Sequence, residues 1–352
     1  MKNHISLFIF AIALLSGPVS ANDLPMTAVK DTLASIPGEH NYIYVRTPLG
    51  EDEEKNYDEI TFYDGLGREL DFAQSYGADR AGAIMAHHHL IEYDSLGRKE
   101  KQWLSTNTSF SYMSPEDLKG GVLWDYHDAG KRSYLQTNYE SSPLNRITEQ
   151  YGVGDAWGDH PARMEYLTNI PADSLRCSFY FIDDNDSLIR RGDYRSGELQ
   201  VTKATDEDGK PTYTFVDKQG RTLLTRLGRG NQQADTYFVF DRFGRIRYVL
   251  PPMINDEISA GNLDLYAYQY LYDSFGRCIS KKLPGCAAIG YVYDKADRVI
   301  LSQNGNQSQK KEWTFTFYDN QGRLALTGLC SFNDPPSLDN SIVRAYRTTS
   351  EK

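Results

Sequence analysis

One six-residue phrase recurs through the chain and constrains its fold more than any other feature. It reads YDGLGR at Tyr63–Arg68, YDSLGR at Tyr93–Arg98, FDRFGR at Phe240–Arg245, YDSFGR at Tyr272–Arg277 and YDNQGR at Tyr318–Arg323. Looser copies are VDKQGR at Val216–Arg221 and YDKADR at Tyr293–Arg298, and TDEDGK at Thr205–Lys210 keeps a trace. From Val216 onward successive copies begin 24, 32, 21 and 25 residues apart. Such spacing marks stacked copies of one supersecondary unit.

That unit reads as a β-hairpin. Apolar or alternating runs precede the phrase, as in Tyr237–Phe240, Tyr266–Leu271 and Trp313–Phe317, and β-rich runs such as Ile246–Leu250 and Val299–Leu301 follow it. Aromatic and β-branched residues with a period of two are strand formers. Asp-x-x-Gly between them fits a type I turn whose Asp accepts backbone N–H groups and whose Gly takes the left-handed conformation of a bulge. In YDKADR that place falls to Asp297, one of the few residue types that tolerate positive φ. The predicted fold is all-β, with antiparallel hairpins forming an open, curved or spiralling sheet. The turn residues are Tyr63, Asp64, Gly67, Arg68; Tyr93, Asp94, Gly97, Arg98; Asp241, Gly244, Arg245; Tyr272, Asp273, Gly276, Arg277; Tyr293, Asp294, Arg298; and Tyr318, Asp319, Gly322, Arg323. Tyr and Arg bracket each turn, so they are expected to face each other across the hairpin's first pair, with Arg over the ring or paired to Asp. Recurrence in every copy makes these residues structural clasps rather than ligand contacts.

Between Arg98 and Val216 the strict phrase disappears, leaving the echoes YHDAGK at Tyr126–Lys131, YESSPLNR at Tyr139–Arg146 and FIDDNDSLIR at Phe181–Arg190. Ser114-Pro115-Glu116-Asp117-Leu118 can open one short helix, with Ser114 as cap and Pro115 at its first position. Tyr151–Pro161 reads as a glycine-rich loop.

The N-terminus carries export signals. Lys2 and His4 precede an apolar run, Ile5–Leu15, which Gly17-Pro18 breaks before the small residues of Val19-Ser20-Ala21. This is a secretory signal with cleavage expected after Ala21. The run is too short for a bilayer core needing ~20 apolar residues, and no spanning stretch follows it. The expected compartment is therefore the periplasm, cell surface or exterior. With 38 Lys and Arg against 48 Asp and Glu the chain is acidic, so nucleic acid, which needs a basic stripe, is not an expected partner. Of the four cysteines, Cys177, Cys278, Cys286 and Cys330, the pair Cys278–Cys286 is the first choice for a disulfide, because Pro284-Gly285 turns the chain between them. Buried free thiols are the alternative.

Motifs that would carry chemistry are missing: no nucleophile elbow, phosphate-binding loop, His-Glu-x-x-His or Cys-x-x-Cys occurs. His87-His88-His89 suggests zinc, yet only His87 and His89 share a strand face, so a solvated strand start is preferred. Asp183, Asp184 and Asp186 suggest calcium but read better as a hairpin tip. No catalytic, cofactor or metal residue is nominated, and no cofactor is expected.

The repeated phrase resembles the YD repeat of bacterial RHS proteins and, more distantly, of teneurins and insecticidal toxin-complex shells. NYIYVR at Asn41–Arg46, DEITFYDGLGR at Asp58–Arg68, SPLNRITEQYG at Ser142–Gly152, VTKATDEDG at Val201–Gly209, YVLPP at Tyr248–Pro252 and CISKKLPG at Cys278–Gly285 resemble the N-terminal module of exported RHS-repeat proteins, a domain of unknown function followed by YD repeats. In that family the repeats spiral into a shell, and in polymorphic toxins the shell encloses a toxin domain released by self-cleavage. Asn333-Asp334-Pro335-Pro336 shares only an Asp-Pro pair with the cleavage motif, so autoproteolysis is not carried over. The resemblance covers roughly Asn41 to Cys330 and implies an RHS-associated β module at 41–200 and a YD-repeat sheet at 201–330; the residues themselves add the signal at 1–21, a leader at 22–40 and a polar tail at 331–352. It also implies a non-catalytic scaffold, part or short form of a toxin-type shell, with a toxin-bearing polypeptide or surface proteins as partners. A surface module binding glycans or proteins is the alternative, and an exported hydrolase the third reading.

Overall fold

Strand-forming runs on both sides of each Asp-x-x-Gly turn pair with each other, and the resulting hairpins fill the molecule. The computed structural model describes residues 40–48, 56–78, 84–127, 130–228 and 233–331. The expected signal peptide, nearly all of the leader and nearly all of the polar tail lie outside these residues. The chain divides into two units: residues up to Met164 with Asp206–Gly209, and Glu165–Thr205 with Lys210 onward.

In the first unit β1 (Asn41–Pro48), β2 (Asn56–Tyr63), β3 (Glu69–Ala78) and β4 (Ile84–Tyr93) form an antiparallel meander. The far side of β4 then forks. Met85–His88 pairs with β6 (Thr106–Ser109), and Ile91–Tyr93 pairs with β5 (Lys99–Trp103). From β5 the ladder continues through β7 (Tyr134–Tyr139) and β8 (Ile147–Tyr151) to the start of β9 (Ala162–Thr168). Helix α1 (Pro115–Asp125) begins as its sequence dictates: the Ser114 side chain accepts from the Asp117 amide, Pro115 opens the helix, and Leu118 and Val122 are buried.

Period-two alternation places Ile60, Phe62, Ala73 and Ala86 on one face, where they pack with Phe110. Polar residues on buried strand positions are all the more conspicuous. Asp58 accepts from Arg46 Nε at 2.7 Å and from the Tyr44 hydroxyl at 2.6 Å. His88, expected in a solvated strand start, is instead buried in the middle of β4, with His87 and His89 on the opposite face. Its Nδ1 lies 2.6 Å from Asp71 Oδ2 and its Nε2 3.0 Å from the Ser109 carbonyl oxygen. Both ring nitrogens of His88 thus meet oxygen atoms, with His88 and Asp71 buried together between neighbouring strands.

In the second unit a separate hairpin, β10 (Ser178–Ile182) and β11 (Leu188–Asp193), precedes a long meander. The meander runs β12 (Gln200–Thr205), β13 (Pro211–Val216), β14 (Thr222–Leu227), β15 (Ala234–Phe240), β16 (Ile246–Leu250), β17 (Tyr268–Tyr272), β18 (Cys278–Lys282), β19 (Ile289–Tyr293), β20 (Val299–Gln303), β21 (Glu312–Tyr318) and β22 (Leu324–Ser331). Each strand pairs antiparallel with the next. Among the described residues β12 and β22 do not pair, so the sheet is open rather than closed into a barrel. Two short helices interrupt it, α2 (Ala260–Tyr266) and α3 (Gly305–Lys310), the latter held by a reciprocal Asn304–Gln307 cap. Its main core joins Tyr213, Phe215, Leu224, Tyr237, Val239 and Leu250 of the meander to Cys177, Tyr180 and Leu188 of the hairpin region.

All four cysteines are free thiols, so the expected Cys278–Cys286 bridge is not formed. The reason is geometric. Cys278 opens β18 and Cys286 follows the turn beyond its other end. At ~3.3 Å per residue the strand alone separates its ends by ~13 Å, well past the ~7 Å that a disulfide tolerates. No helix of the described residues is long and apolar enough to cross a membrane.

Candidate functional site: the turn ladder

The turns share one hydrogen-bond plan. In the copy at Asp273 the Asp amide donates to the Arg277 carbonyl and the Gly276 amide to the Asp273 carbonyl, both at 3.0 Å. Asp273 Oδ1 accepts from the amides of Phe275 and Arg277, each at 2.9 Å, and Oδ2 accepts from Arg277 Nε at 2.7 Å. The copies at Asp64, Asp94, Asp217, Asp241, Asp294 and Asp319 repeat this pattern. Gly276 sits at φ 86° and Asp297, its counterpart one repeat on, at φ 60°. The left-handed residue re-enters the partner strand through a bulge, seen as a register shift beside Tyr272 and Tyr293.

Burial opposes charge on these carboxyls, but the Arg backbone N–H, the guanidinium and the second backbone N–H outweigh it. Asp64, Asp94, Asp217, Asp241, Asp273 and Asp294 are thereby held below the usual carboxylate range. At the more open Asp319 the backbone N–H of Arg323 leads the same downward shift. Both oxygens of each carboxylate are therefore engaged within the turn.

The arginines do more than close their own turns. Of the two expected arrangements the structure has the pair with the turn Asp of the same hairpin; the ring at the Tyr position that the guanidinium covers is that of the next copy. Arg68 stands 4.5 Å from the Tyr93 ring centroid, Arg98 4.7 Å from Tyr139, Arg221 5.0 Å from Phe240, Arg245 4.7 Å from Tyr272, Arg277 5.0 Å from Tyr293 and Arg298 4.8 Å from Tyr318. The Tyr then reaches back. The hydroxyls of Tyr93, Tyr139, Tyr272, Tyr293 and Tyr318 donate to the carbonyls of Glu69, Lys99, Ile246, Cys278 and Val299, each the residue just after the preceding Arg. In three steps Arg Nη1 also donates to the carbonyl of the next turn's acid: Arg98 to Glu140, Arg245 to Asp273 and Arg277 to Asp294. The turns thus form a ladder whose rungs join neighbouring hairpins. Geometry requires this direction: Tyr272 lies opposite Cys278 in the ladder while Arg277 lies within the turn, so its side chain extends along the sheet.

The degenerate copies show which atoms matter. In YESSPLNR the turn is longer, yet Glu140 replaces Asp and takes Arg146 Nε and Nη2 at 2.8 and 2.7 Å, while Asn145 supplies the positive φ. Arg146, with Ser142, pulls the Glu140 carboxyl down to about 2. Tyr139 and Glu140 therefore belong to the ladder, and their aromatic-acid pair is the signal that finds them. At Asp183 the backbone plan persists, but Ser187 stands where Arg would be and no guanidinium rung forms. This is a hairpin tip, and among the described residues no group of three or more His, Cys, Asp or Glu is placed to hold a metal ion.

The second unit also contains a cleft of about 300 Å³ beside β10. Phe179, Phe181, Tyr194, Phe238, Phe240 and Arg242 are among the residues that line it. Phe179 stacks near Phe181 and meets Tyr194 edge-on.

An open antiparallel sheet whose successive hairpins are tied together at their turns defines a repeat-built β scaffold. Residues 41–168 match the family model described as Domain of unknown function (DUF6443). Among solved structures the fold is similar to TcdB2-TccC3 without its hypervariable C-terminal region, at 13% identity and a TM-score of 0.55 over 90% of this chain. It is also similar to TcdB2-TccC3-Cdc42, at 14% identity and a TM-score of 0.55 over 84%. The Photorhabdus luminescens Tc holotoxin pore matches at 12% identity and a TM-score of 0.55, again over 84%. The chain spans only 14–15% of the length of these chains. No curated protein matches the sequence.

Proposed function

We propose that the chain is a non-catalytic, exported scaffold of the YD/RHS-repeat kind, a part or short form of a toxin-type β shell. The observation that carries this reading is the ladder. The recurring polar and aromatic residues are used to join one hairpin to the next, which is what a wall requires and what a reactive site would avoid. The fold likeness to toxin-complex chains over most of the described residues supports the same reading. Export rests on the apolar N-terminal run and its small-residue cleavage site. Partners of this scaffold are a toxin-bearing polypeptide or surface proteins. Tagged protein recovered from its natural host under native conditions should carry a larger YD-repeat or toxin-domain polypeptide, identified by mass spectrometry. A single unassociated copy that turns over model glycoside or ester substrates would overturn the proposal.

A second reading, a surface module binding glycans, is favoured by the aromatic cleft beside β10, since ring faces suit the C–H surfaces of sugars. Retention on polysaccharide columns that disappears in Phe179→Ala would support it. Unretarded elution from a panel of columns would dismiss it.

A further inference from the structure

The cleft beside β10 carries an unbalanced charge. Its lining includes an acid, Asp241, and two arginines, Arg221 and Arg242. Asp241 is engaged within its own turn: Oδ1 accepts from the amides of Phe243 and Arg245, each at 2.9 Å, and Oδ2 accepts from Arg245 Nε at 2.7 Å. Arg221 is likewise closed on Asp217, with Nε and Nη2 each 2.7 Å from Oδ2. Arg242 differs. It is exposed, with its guanidinium 4.9 Å from the Phe243 ring centroid, and among the described residues no carboxylate pairs with it. The Tyr194 hydroxyl and the Gln219 side-chain amide, which also line the cleft, have no hydrogen-bond partner among the described residues. In a chain whose formal net charge is -10, the described lining of this cleft therefore offers an uncompensated cation and neutral hydrogen-bonding groups among aromatic rings, with its carboxylate already taken.

We propose that the cleft binds an acidic carbohydrate, a glycan chain bearing hexuronate residues. The rings of Phe179 and Phe238 give apolar contact to the C–H surface of a sugar. The Tyr194 hydroxyl and the Gln219 amide pair with sugar hydroxyls. Arg242 takes the carboxylate in a charge-assisted hydrogen bond, which the fork of a guanidinium can make bidentate. A volume of about 300 Å³ lies at the small end of ligand sites and suits a short stretch of saccharide. A neutral sugar would leave Arg242 without an anion, and an aromatic carboxylate would bring no ring hydroxyls to Tyr194 and Gln219. The inference rests on the glycan reading of this cleft and adds the charge of the ligand and the residue that selects it.

The test titrates the full chain calorimetrically at low salt with tetragalacturonate and with its fully methyl-esterified form, which keeps the sugar rings and loses the charge. The acid should bind about tenfold more tightly than the ester, the scale of a charge-assisted hydrogen bond. Arg242→Gln should erase that preference by weakening the acid alone, and added salt should narrow it in the unsubstituted protein. Arg242 is exposed, so the variant should keep its circular dichroism spectrum and urea midpoint. Equal affinity for acid and ester, or a preference that survives in Arg242→Gln, overturns the acidic assignment and leaves the glycan reading standing, since a glycan is still bound. Failure of both forms to bind, in a protein that polysaccharide columns retain through Phe179, also removes only the acidic assignment. Unretarded elution from those columns removes the glycan reading with it.

Discussion

Replacing Arg277 should weaken the contact between two hairpins, not only within one. The guanidinium donates Nε to Asp273, donates Nη1 to the Asp294 carbonyl at 3.1 Å and to Asp297 Oδ1 at 2.8 Å, and covers the Tyr293 ring. Its side chain is 18% exposed and that of Asp273 11%. A hydrogen bond to a charged group contributes ~1.5–3 kcal/mol when well sheltered, while the Asp297 pair, with Asp297 72% exposed, adds little. The cation–π contact adds ~0.5–1 kcal/mol. Arg277→Ala should therefore cost ~2–4 kcal/mol in urea unfolding of the whole chain. A double-mutant cycle separates the two neighbours. Arg277→Ala with Tyr293→Leu should show a coupling of ~0.5–1.5 kcal/mol, and Arg277→Ala with Tyr272→Leu less than ~0.5 kcal/mol. Stronger coupling to Tyr272 than to Tyr293 would refute the inter-hairpin ladder and restore a clasp within each hairpin.

Three further outcomes follow from the same structure. Gly276→Ala, at φ 86°, should cost ~1–2 kcal/mol by thermal unfolding, whereas Asp297→Gly should stay within ~0.5 kcal/mol because backbone relief offsets the lost exposed pair with Arg277. His88→Leu takes from the buried Asp71 Oδ2 its hydrogen-bond partner, so it should cost ~1–3 kcal/mol in urea unfolding; a loss below ~0.5 kcal/mol would mean that the contact does not stabilise the fold. Acid should weaken the first unit: Glu140, held at about 2 against its ordinary 4.5, favours the fold above pH ~4.5, and that contribution disappears as pH falls toward ~2. Urea midpoints should drop across that window, with a shallower drop in Glu140→Gln; an identical slope in the variant would sink the assignment.

The hairpins were legible because their information is local. Asp-x-x-Gly names a turn, and the runs around it name strands, so β15–β16 or β21–β22 can be read from about twenty residues. Helix α1 was legible for the same reason, through Ser114 and Pro115. The direction of the Arg rung was not. Tyr272 and Arg277 are close in sequence, which suggests a mutual contact, but the bulge pairs Tyr272 with Cys278 and sends Arg277 along the sheet to a ring sixteen residues later in the numbering. The buried His88–Asp71 pair was hidden because its partners lie on neighbouring strands and each reads alone as a solvated residue. Helices α2 and α3 were missed because one or two turns of Gly, Asn and Gln carry no amphipathic period. Cysteine spacing misled in the opposite sense, since closeness along an extended strand is distance in space.

The central claim, that this chain is a segment of a larger β wall, is tested most directly by electron microscopy of the tagged protein isolated from its natural host without denaturation. The scaffold account predicts a β-walled particle in which this sheet is one stretch of wall, with further strands continuing it beyond β22. A particle of a single copy, with β22 at the boundary of the density and solvent beyond it, would contradict it.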